Sequence, residues 1–338
     1  MAEHTMSETD PWTLQSYVLL QQRKRAPHSE GRLTMLLGAI STGCKYIAMA
    51  VRRAGVAGSD VLGKAGSENV QGEDQKKLDV IANDVFKNVL RKSGQCAVMV
   101  SEEEDDPIFV EEAHRGRYCV VFDPLDGSSN IECGVSIGTI FGIYRVREGS
   151  TGSIDDVLRP GRDMVAAGYC MYGSMTYLAI TLGDGVAGFT LDPTIGEFVL
   201  THPQIRVPET GNIYSINEGN FVQWPASVKT YVDEAKATGK ASLRYVGSMV
   251  ADVHRTLLYG GIFMYPADKK NVNGKLRMLY EGYPMALIVE QAGGIAVDAE
   301  GKPVLDRPPT GIHARCPIFL GSTKPVERIT QLIKEKDL

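Results

Sequence analysis

Apolar residues recur at 33, 36, 37, 40, 44, 47 and 51, the three-to-four spacing that predicts an amphipathic helix from Leu33 to Ala54, with Gly55 as its stop. Leu78, Ile81, Ala82, Val85, Phe86 and Val89 repeat the spacing and predict a second helix, Asp79 to Lys92, with an acid in its first turn. Between them, residues 55–77 mix Gly, Ser and charge with neither period, which predicts a long moving loop. Cys96–Val100 and Tyr118–Phe122 are short, wholly apolar runs and read as buried strands. Strand-like runs at 135–146, 164–172, 176–182, 185–191 and 197–200, separated by Gly and Asp turns, predict a mostly antiparallel sheet.

Two prolines and a loss of periodicity at 201–212 mark a domain boundary. Beyond it the pattern gives a strand at 213–216, helices at 227–236 and 248–258, a strand at 262–265, a helix at 284–292 and a strand at 294–297. A chain of 338 residues exceeds what one core supports. The expected organisation is a tail at 1–11, an N-terminal domain at 12–205 containing the 55–77 loop, and a C-terminal domain at 206–338.

Composition narrows the function classes. A net charge of -5 argues against nucleic acid as the main partner. With no unbroken apolar run of about 18 residues, no membrane span is expected, and the acidic first residues do not read as a secretory signal. A cytoplasmic protein is the expectation; Lys336-Asp337-Leu338 faintly resembles a peroxisomal address and gives the alternative location. Six scattered cysteines form no C-x-x-C pair and read as reduced core residues.

Both buried strands deliver carboxylates at their carboxyl ends. One runs into Ser101-Glu102-Glu103-Glu104, the other into Asp123-Pro124-Leu125-Asp126-Gly127-Ser128-Ser129. Hard divalent cations take oxygen ligands, and Mg²⁺ is held by a few carboxylates with waters and substrate phosphates. Asp123, Asp126 and the Leu125 carbonyl can face one point across the rigid proline, and Gly127 and Ser128 offer N–H and hydroxyl groups to a phosphate. The same residues also make a plain tight turn, and Glu102–Asp106 alone reads as a solvated acidic loop. Gathering these acids with Asp79 favours a cation, since like charges drawn together repel. An aspartyl-phosphate mechanism fits less well, because two residues separate the acids rather than one. A second cluster of Asn217, Arg244, Tyr245, Tyr265, Lys275, Arg277 and Glu281 combines cations, phenols and an acid in a way that suits a phosphorylated sugar.

Taken together, Lys77-Leu78-Asp79, Ser101-Glu102-Glu103, Phe122 to Asn130, Arg244 to Arg255, Tyr259 to Phe263 and Asn273 to Arg277 resemble the class I fructose-1,6-bisphosphatases, a likeness extending from Leu33 to Gly321. The acid-turn motif alone indicates the wider lithium-sensitive phosphatase superfamily; the Arg244 and Lys275 stretches single out the sugar bisphosphatase. The resemblance implies an α/β fold in α/β/α/β/α layers, with an N-terminal allosteric domain and a C-terminal substrate domain. It also implies a homotetramer and Mg²⁺-dependent removal of the 1-phosphate of fructose 1,6-bisphosphate, in gluconeogenesis. Two or three Mg²⁺ per subunit are expected, with Mn²⁺ able to replace them. By motif match, Glu102, Asp123, Leu125, Asp126 and Glu281 hold metal, with Glu73 or Asp74 approaching from the loop. Asp79 and Glu103 orient and deprotonate water, and Gly127 and Ser128 meet the 1-phosphate. Asn217, Tyr245, Tyr265 and Lys275 grip the sugar and 6-phosphate, and Arg244 reaches in from a neighbouring subunit.

The resemblance further places an inhibitory AMP pocket at Thr34, Arg117, Tyr118 and Arg145. Glu30 and Arg32 stand where Thr and Glu are usual, and Asn220 where Tyr is usual, so those contacts differ from the family pattern. The cysteine-bearing insertion of the redox-controlled chloroplast form is absent, since Glu148 to Asp163 is short and lacks Cys. The alternative readings are an inositol-phosphate or nucleotide phosphatase of the same superfamily, and a non-catalytic metabolite-sensing protein.

Overall fold

The computed structural model describes residues 11–54, 56, 63–68 and 74–337, and of 64, 66–68, 74 and 75 the backbone alone. In chain order the first half is α1 (Leu14–Arg25), α2 (Arg32–Arg53), β1 (Lys64–Glu68), β2 (Asp74–Lys76), α3 (Lys77–Lys92), β3 (Cys96–Ser101), β4 (Ile108–Phe109), β5 (Tyr118–Asp126), β6 (Ile137–Arg145), β7 (Met164–Tyr172), β8 (Thr176–Thr181), β9 (Val186–Asp192) and β10 (Glu197–Ile205). The second half is β11 (Ile213–Ser215), α4 (Ala226–Ala237), β12 (Ser242–Leu243), α5 (Met249–Tyr259), β13 (Ile262–Tyr265), β14 (Leu276–Arg277), α6 (Tyr283–Gln291), β15 (Ile295–Val297), β16 (Arg315–Cys316), β17 (Ile318–Gly321) and α7 (Thr323–Lys336).

Eight strands form one sheet in the order β10-β9-β8-β7-β6-β5-β3-β4. Only the β3–β5 pair is parallel, so the expected antiparallel character holds. Strict alternation along β5 sends Val120 and Phe122 to one face and Cys119 and Val121 to the other. The first face packs on α2 and α3, through Leu36, Ile40, Ile47, Leu78 and Phe86. The second meets α5 and α6, which share their core with a five-stranded sheet ordered β12-β11-β13-β17-β15. Beyond that sheet, α4 and α7 close the last layer over Val228, Val232, Val326, Ile329 and Leu332. This is the expected α/β/α/β/α stack. Its central core draws side chains from both halves of the chain, so the halves are welded by apolar burial rather than tethered.

Three features differ from the sequence pattern. Strand β10 continues through Pro203 to Ile205, inside the segment read as a linker, because its ladder with β9 is carried past Leu200 by register shifts. Part of the 55–77 segment pairs as the antiparallel ribbon β1–β2. Its expected motion, and Glu73, lie outside the described residues. Helix α2 is long and apolar enough by composition to cross a bilayer. Half of that stretch is buried, with Leu36, Leu37, Ile40, Cys44 and Ile47 in the core beneath α1 and α3, so it is built as a core helix. Of the six cysteines, five are buried as expected; Cys133 is exposed.

Candidate active site

The carboxyl ends of β3 and β5 lie side by side because these two strands are parallel neighbours, with Ser101 opposite Phe122. Glu102 therefore emerges next to Asp123, and its N–H donates to the Phe122 carbonyl at 3.2 Å. The turn is fixed from within: the Leu125 N–H donates to Asp123 Oδ1 at 2.8 Å, and the buried Thr139 hydroxyl donates to the Pro124 carbonyl at 2.8 Å. Glu281 arrives from the other half of the chain on a one-turn π segment, Met278–Gly282, a distortion that recurs at functional sites.

One carboxylate oxygen from each of Asp123, Asp126 and Glu281 lies within 4.8 Å of the others, and all three residues are buried. Burial pushes the Asp123 carboxyl well up, and the nearby Glu102, Asp126 and Glu281 charges push the same way. Glu102 and Asp126 also rise, by burial first and then through Glu281. The Arg277 guanidinium stands 3.8 Å from Glu102 and opposes part of this repulsion. Hard oxygen donors gathered at this spacing, away from water, fit a divalent cation.

Asp79, in the first turn of α3, lies outside the lining of the cleft over these acids but interacts with Glu103 and Ser128, which belong to it. The Lys76 N–H donates to its Oδ2 at 2.9 Å, so it caps the helix as its sequence position suggests. Its Oδ1 is buried with no hydrogen-bond partner. Burial, reinforced by Glu103, raises its pKa to about 7. An acid at that value, with a spare acceptor atom, suits a proton acceptor for water.

A cleft of about 170 Å³ opens over these acids, and Glu102, Glu103, Asp123, Leu125, Asp126 and Glu281 all line it. So do Gly127, Ser128, Tyr245, Tyr265 and Lys275. Gly127 has φ +80°, and a Cβ there would approach the Ser248 hydroxyl at 2.8 Å. Gly127→Ala is therefore expected to cost about 1–3 kcal/mol and to lower activity, read by thermal melts and phosphate release. The turn leads into a six-residue 3-10 segment, Ser128–Cys133, rather than a full helix.

Two expected sugar-side residues fall outside this lining. Asn217 is exposed and caps a 3-10 turn, accepting the Gly219 N–H at 3.1 Å. Arg244 is exposed and donates to the Leu243 carbonyl at 2.7 Å. Both lie on the loops that follow β11 and β12 at one edge of the smaller sheet. Sequence reasoning missed the supports of Asp126, which accepts the Val250 N–H at 3.0 Å and the Ser248 hydroxyl at 3.3 Å from the start of α5. Ser248 before an apolar run signals a helix start. Nothing in the sequence says that the helix points at Asp126.

A second cavity, of about 410 Å³, lies between α1, α2 and β5. Thr34, Arg117, Tyr118 and Arg145 all line it, together with Glu30 and Arg32, which pair with each other. Thr34 donates to Gln22 Oε1 at 2.7 Å. Burial raises the Tyr118 phenol, and the cations Arg145, Arg32 and Arg117 pull it back. Helix α1, which supplies one wall, was not expected; its capping Thr13 and its apolar Leu14 and Val18 were the available signals.

Comparison with known proteins agrees with this geometry. The chain matches the family models "Fructose-1-6-bisphosphatase, N-terminal domain" over residues 12–203 and "Fructose-1-6-bisphosphatase, C-terminal domain" over 207–334. It is 57% identical to the cytosolic fructose-1,6-bisphosphatase of Arabidopsis thaliana, over 97% of this chain and 96% of that one. The crystal structure of Leishmania major fructose-1,6-bisphosphatase in holo form superposes with a TM-score of 0.90 at 46% identity, covering 96% of this chain and 99% of that one. Its T-state structure gives 0.87, again at 46% identity, over 97% and 100%. Two family models end to end, a relative matched along its length and a shared fold lead to one statement: the chain belongs to the fructose-1,6-bisphosphatase family.

Proposed function

We propose that the chain hydrolyses the 1-phosphate of fructose 1,6-bisphosphate with Mg²⁺, is inhibited by AMP, and works as a homotetramer. The observation that carries the enzymatic reading is the buried set Asp123, Asp126 and Glu281 beneath a cleft that also holds Tyr245, Tyr265 and Lys275. Glu102, Asp123, the Leu125 carbonyl, Asp126 and Glu281 would hold the metal, with Glu73 as a further expected contributor. When bound, Mg²⁺ supplies charge neutralisation for attacking and leaving oxygens and lowers the pKa of water.

The remaining work falls to the chain. Gly127 and Ser128 orient the 1-phosphate at the turn, and Lys275, which lines the same cleft, offers a cation to the other phosphate. Asp79, poised near neutral pH, accepts the proton of the attacking water, with Glu103 beside it. Positioning and charge stabilisation suffice for phosphoryl transfer, so no side chain need become phosphorylated. Asn217 joins Tyr245, Tyr265 and Lys275 on the sugar and 6-phosphate, and Arg244 reaches in from a neighbouring subunit. The 12–205 unit then carries regulation and most of the metal site, and the 206–338 unit the sugar-side contacts. The cytosolic naming of the relatives supports a cytosolic location and gives nothing to the peroxisomal one.

The test is phosphate release from fructose 1,6-bisphosphate, inositol monophosphate and a nucleoside monophosphate, each with and without Mg²⁺. Release from the sugar bisphosphate alone, only with metal, is the expected result; preference for inositol monophosphate would overturn the substrate. For regulation, Arg145→Ala removes a cation from the 410 Å³ cavity. It is expected to raise the AMP concentration for half-inhibition about tenfold or more, since charge-assisted phosphate contacts are the strong ones.

A further inference from the structure

Asp252, on α5, is fully buried, and it lines the wall of the active-site cleft. Its carboxylate gathers donors from three places. The Val246 N–H donates to both Oδ1 and Oδ2 at 3.0 Å, and the Gly247 N–H to Oδ2 at 3.0 Å. The Ser215 hydroxyl donates to Oδ1 at 3.0 Å, and Arg255 Nη2 to Oδ1 at 2.6 Å. The same Arg255 nitrogen donates to the Arg244 carbonyl at 2.9 Å, holding the loop from its other end.

Each donor belongs to a segment that serves the reaction. Val246 and Gly247 follow Tyr245, which lines the cleft. Ser215 ends β11, two residues before Asn217. Asp252 itself sits one turn into the helix whose first residues donate to Asp126: the Val250 N–H, and the Ser248 hydroxyl at its cap. A fully buried carboxylate keeps its place only when its acceptors are filled, so each of these segments is fixed relative to the others by one side chain.

We propose that Asp252 is a positioning residue that sets the sugar-side loops, 215–217 and 244–247, at a fixed distance from the metal-ligating Asp126. Protein donors occupy both its carboxylate oxygens, so it acts through the loops. This assignment rests on the phosphatase reading above. Losing the carboxylate frees the Tyr245 loop and the start of α5 together, so substrate affinity and metal demand change as a pair. Losing one spoke changes one of them.

The test uses the full-length enzyme and three proteins: wild type, Asp252→Asn and Ser215→Ala. Asp252→Asn keeps the shape but cannot accept from all its donors. It is expected to raise KM for fructose 1,6-bisphosphate about tenfold or more and to raise the Mg²⁺ concentration for half-maximal rate several-fold, with kcat recovering at saturating Mg²⁺. Ser215→Ala is expected to raise KM with no change in the Mg²⁺ requirement. A lowered melting temperature with KM and Mg²⁺ requirement both unchanged in Asp252→Asn would make the residue a structural support only and overturn the proposal. Should Asp252→Asn not fold, Ser215→Ala decides alone: an unchanged KM, or a shifted Mg²⁺ requirement, overturns it. Wild-type enzyme that releases no phosphate would instead sink the phosphatase reading.

Discussion

Asp123→Asn abolishes turnover and, in metal-free protein, raises the melting temperature. The activity loss is expected to reach about 10³-fold or more, because the substitution removes a charged ligand where negative charge must be offset in the transition state. The gain in stability follows from the same geometry. Asp123 is buried among Glu102, Asp126 and Glu281, each of which disfavours its charged form. Asparagine keeps an oxygen for the Leu125 N–H, so the turn loses little while the repulsion falls. Each kcal/mol so relieved raises the melting temperature by about 1–2 °C in a chain of 338 residues. Phosphate-release assays and thermal melts with and without Mg²⁺ check the pair; a variant that turns over normally, or that melts lower without metal, contradicts the assignment.

The second large effect is the response of stability to pH. Asp79 rises from an ordinary carboxyl value to about 7, and Glu102, Asp123 and Asp126 rise as well. A carboxyl whose folded pKa lies above its unfolded one holds more protons folded than unfolded, so stability falls as pH climbs through that window. For Asp79 alone the shift corresponds to about 4 kcal/mol between roughly pH 4 and 8, and the others act in the same direction. His254 works against this at the acid end: burial lowers it to about 4, so its contribution is lost as pH falls from about 6.5 towards 4. Between pH 6.5 and 8 the unfolded chain loses only the last of its protonation at His254 and at His313, which burial also lowers, so the raised carboxyls set the sign of the slope. Metal-free protein is therefore expected to melt lower at pH 8 than at pH 6.5. Saturating Mg²⁺ is expected to flatten or invert that slope, because cations compete with protons for the same oxygens. Melts at the two pH values, with Mg²⁺ and with chelator, give the comparison; parallel pH profiles in both conditions would show that the acids are not the metal site.

Much of this was legible in the chain because the physics is local. Three-to-four spacing gave α2 and α3, a short apolar run gave β5, and strand-like runs between Gly and Asp turns gave the antiparallel sheet, with Ser248 at the start of α5. Two acids around a proline at a strand end announced Asp123 and Asp126. What stayed hidden is set by tertiary packing. Parallel pairing of β3 with β5 brings Glu102 beside Asp123 across a gap of some twenty residues, and no spacing rule encodes it. The π turn that delivers Glu281 looks like an ordinary entry into α6. Asp252 reads as one acid on an amphipathic helix, and only the fold shows that two other segments, at Ser215 and at Val246-Gly247, hang from it. Helix α7 also escaped, although Val326, Ile329, Leu332 and Ile333 keep a helical period. The prolines at 203 and 208 suggested a break that the β9–β10 ladder runs partly through.

The central claim is that buried acids from both halves of the chain converge on cations beneath the sugar-phosphate cleft. Crystals of the enzyme grown with Mn²⁺, measured for anomalous scattering, test it directly. The account predicts anomalous density between Asp123, Asp126 and Glu281. Those three carboxylates turned apart with no density between them would contradict it.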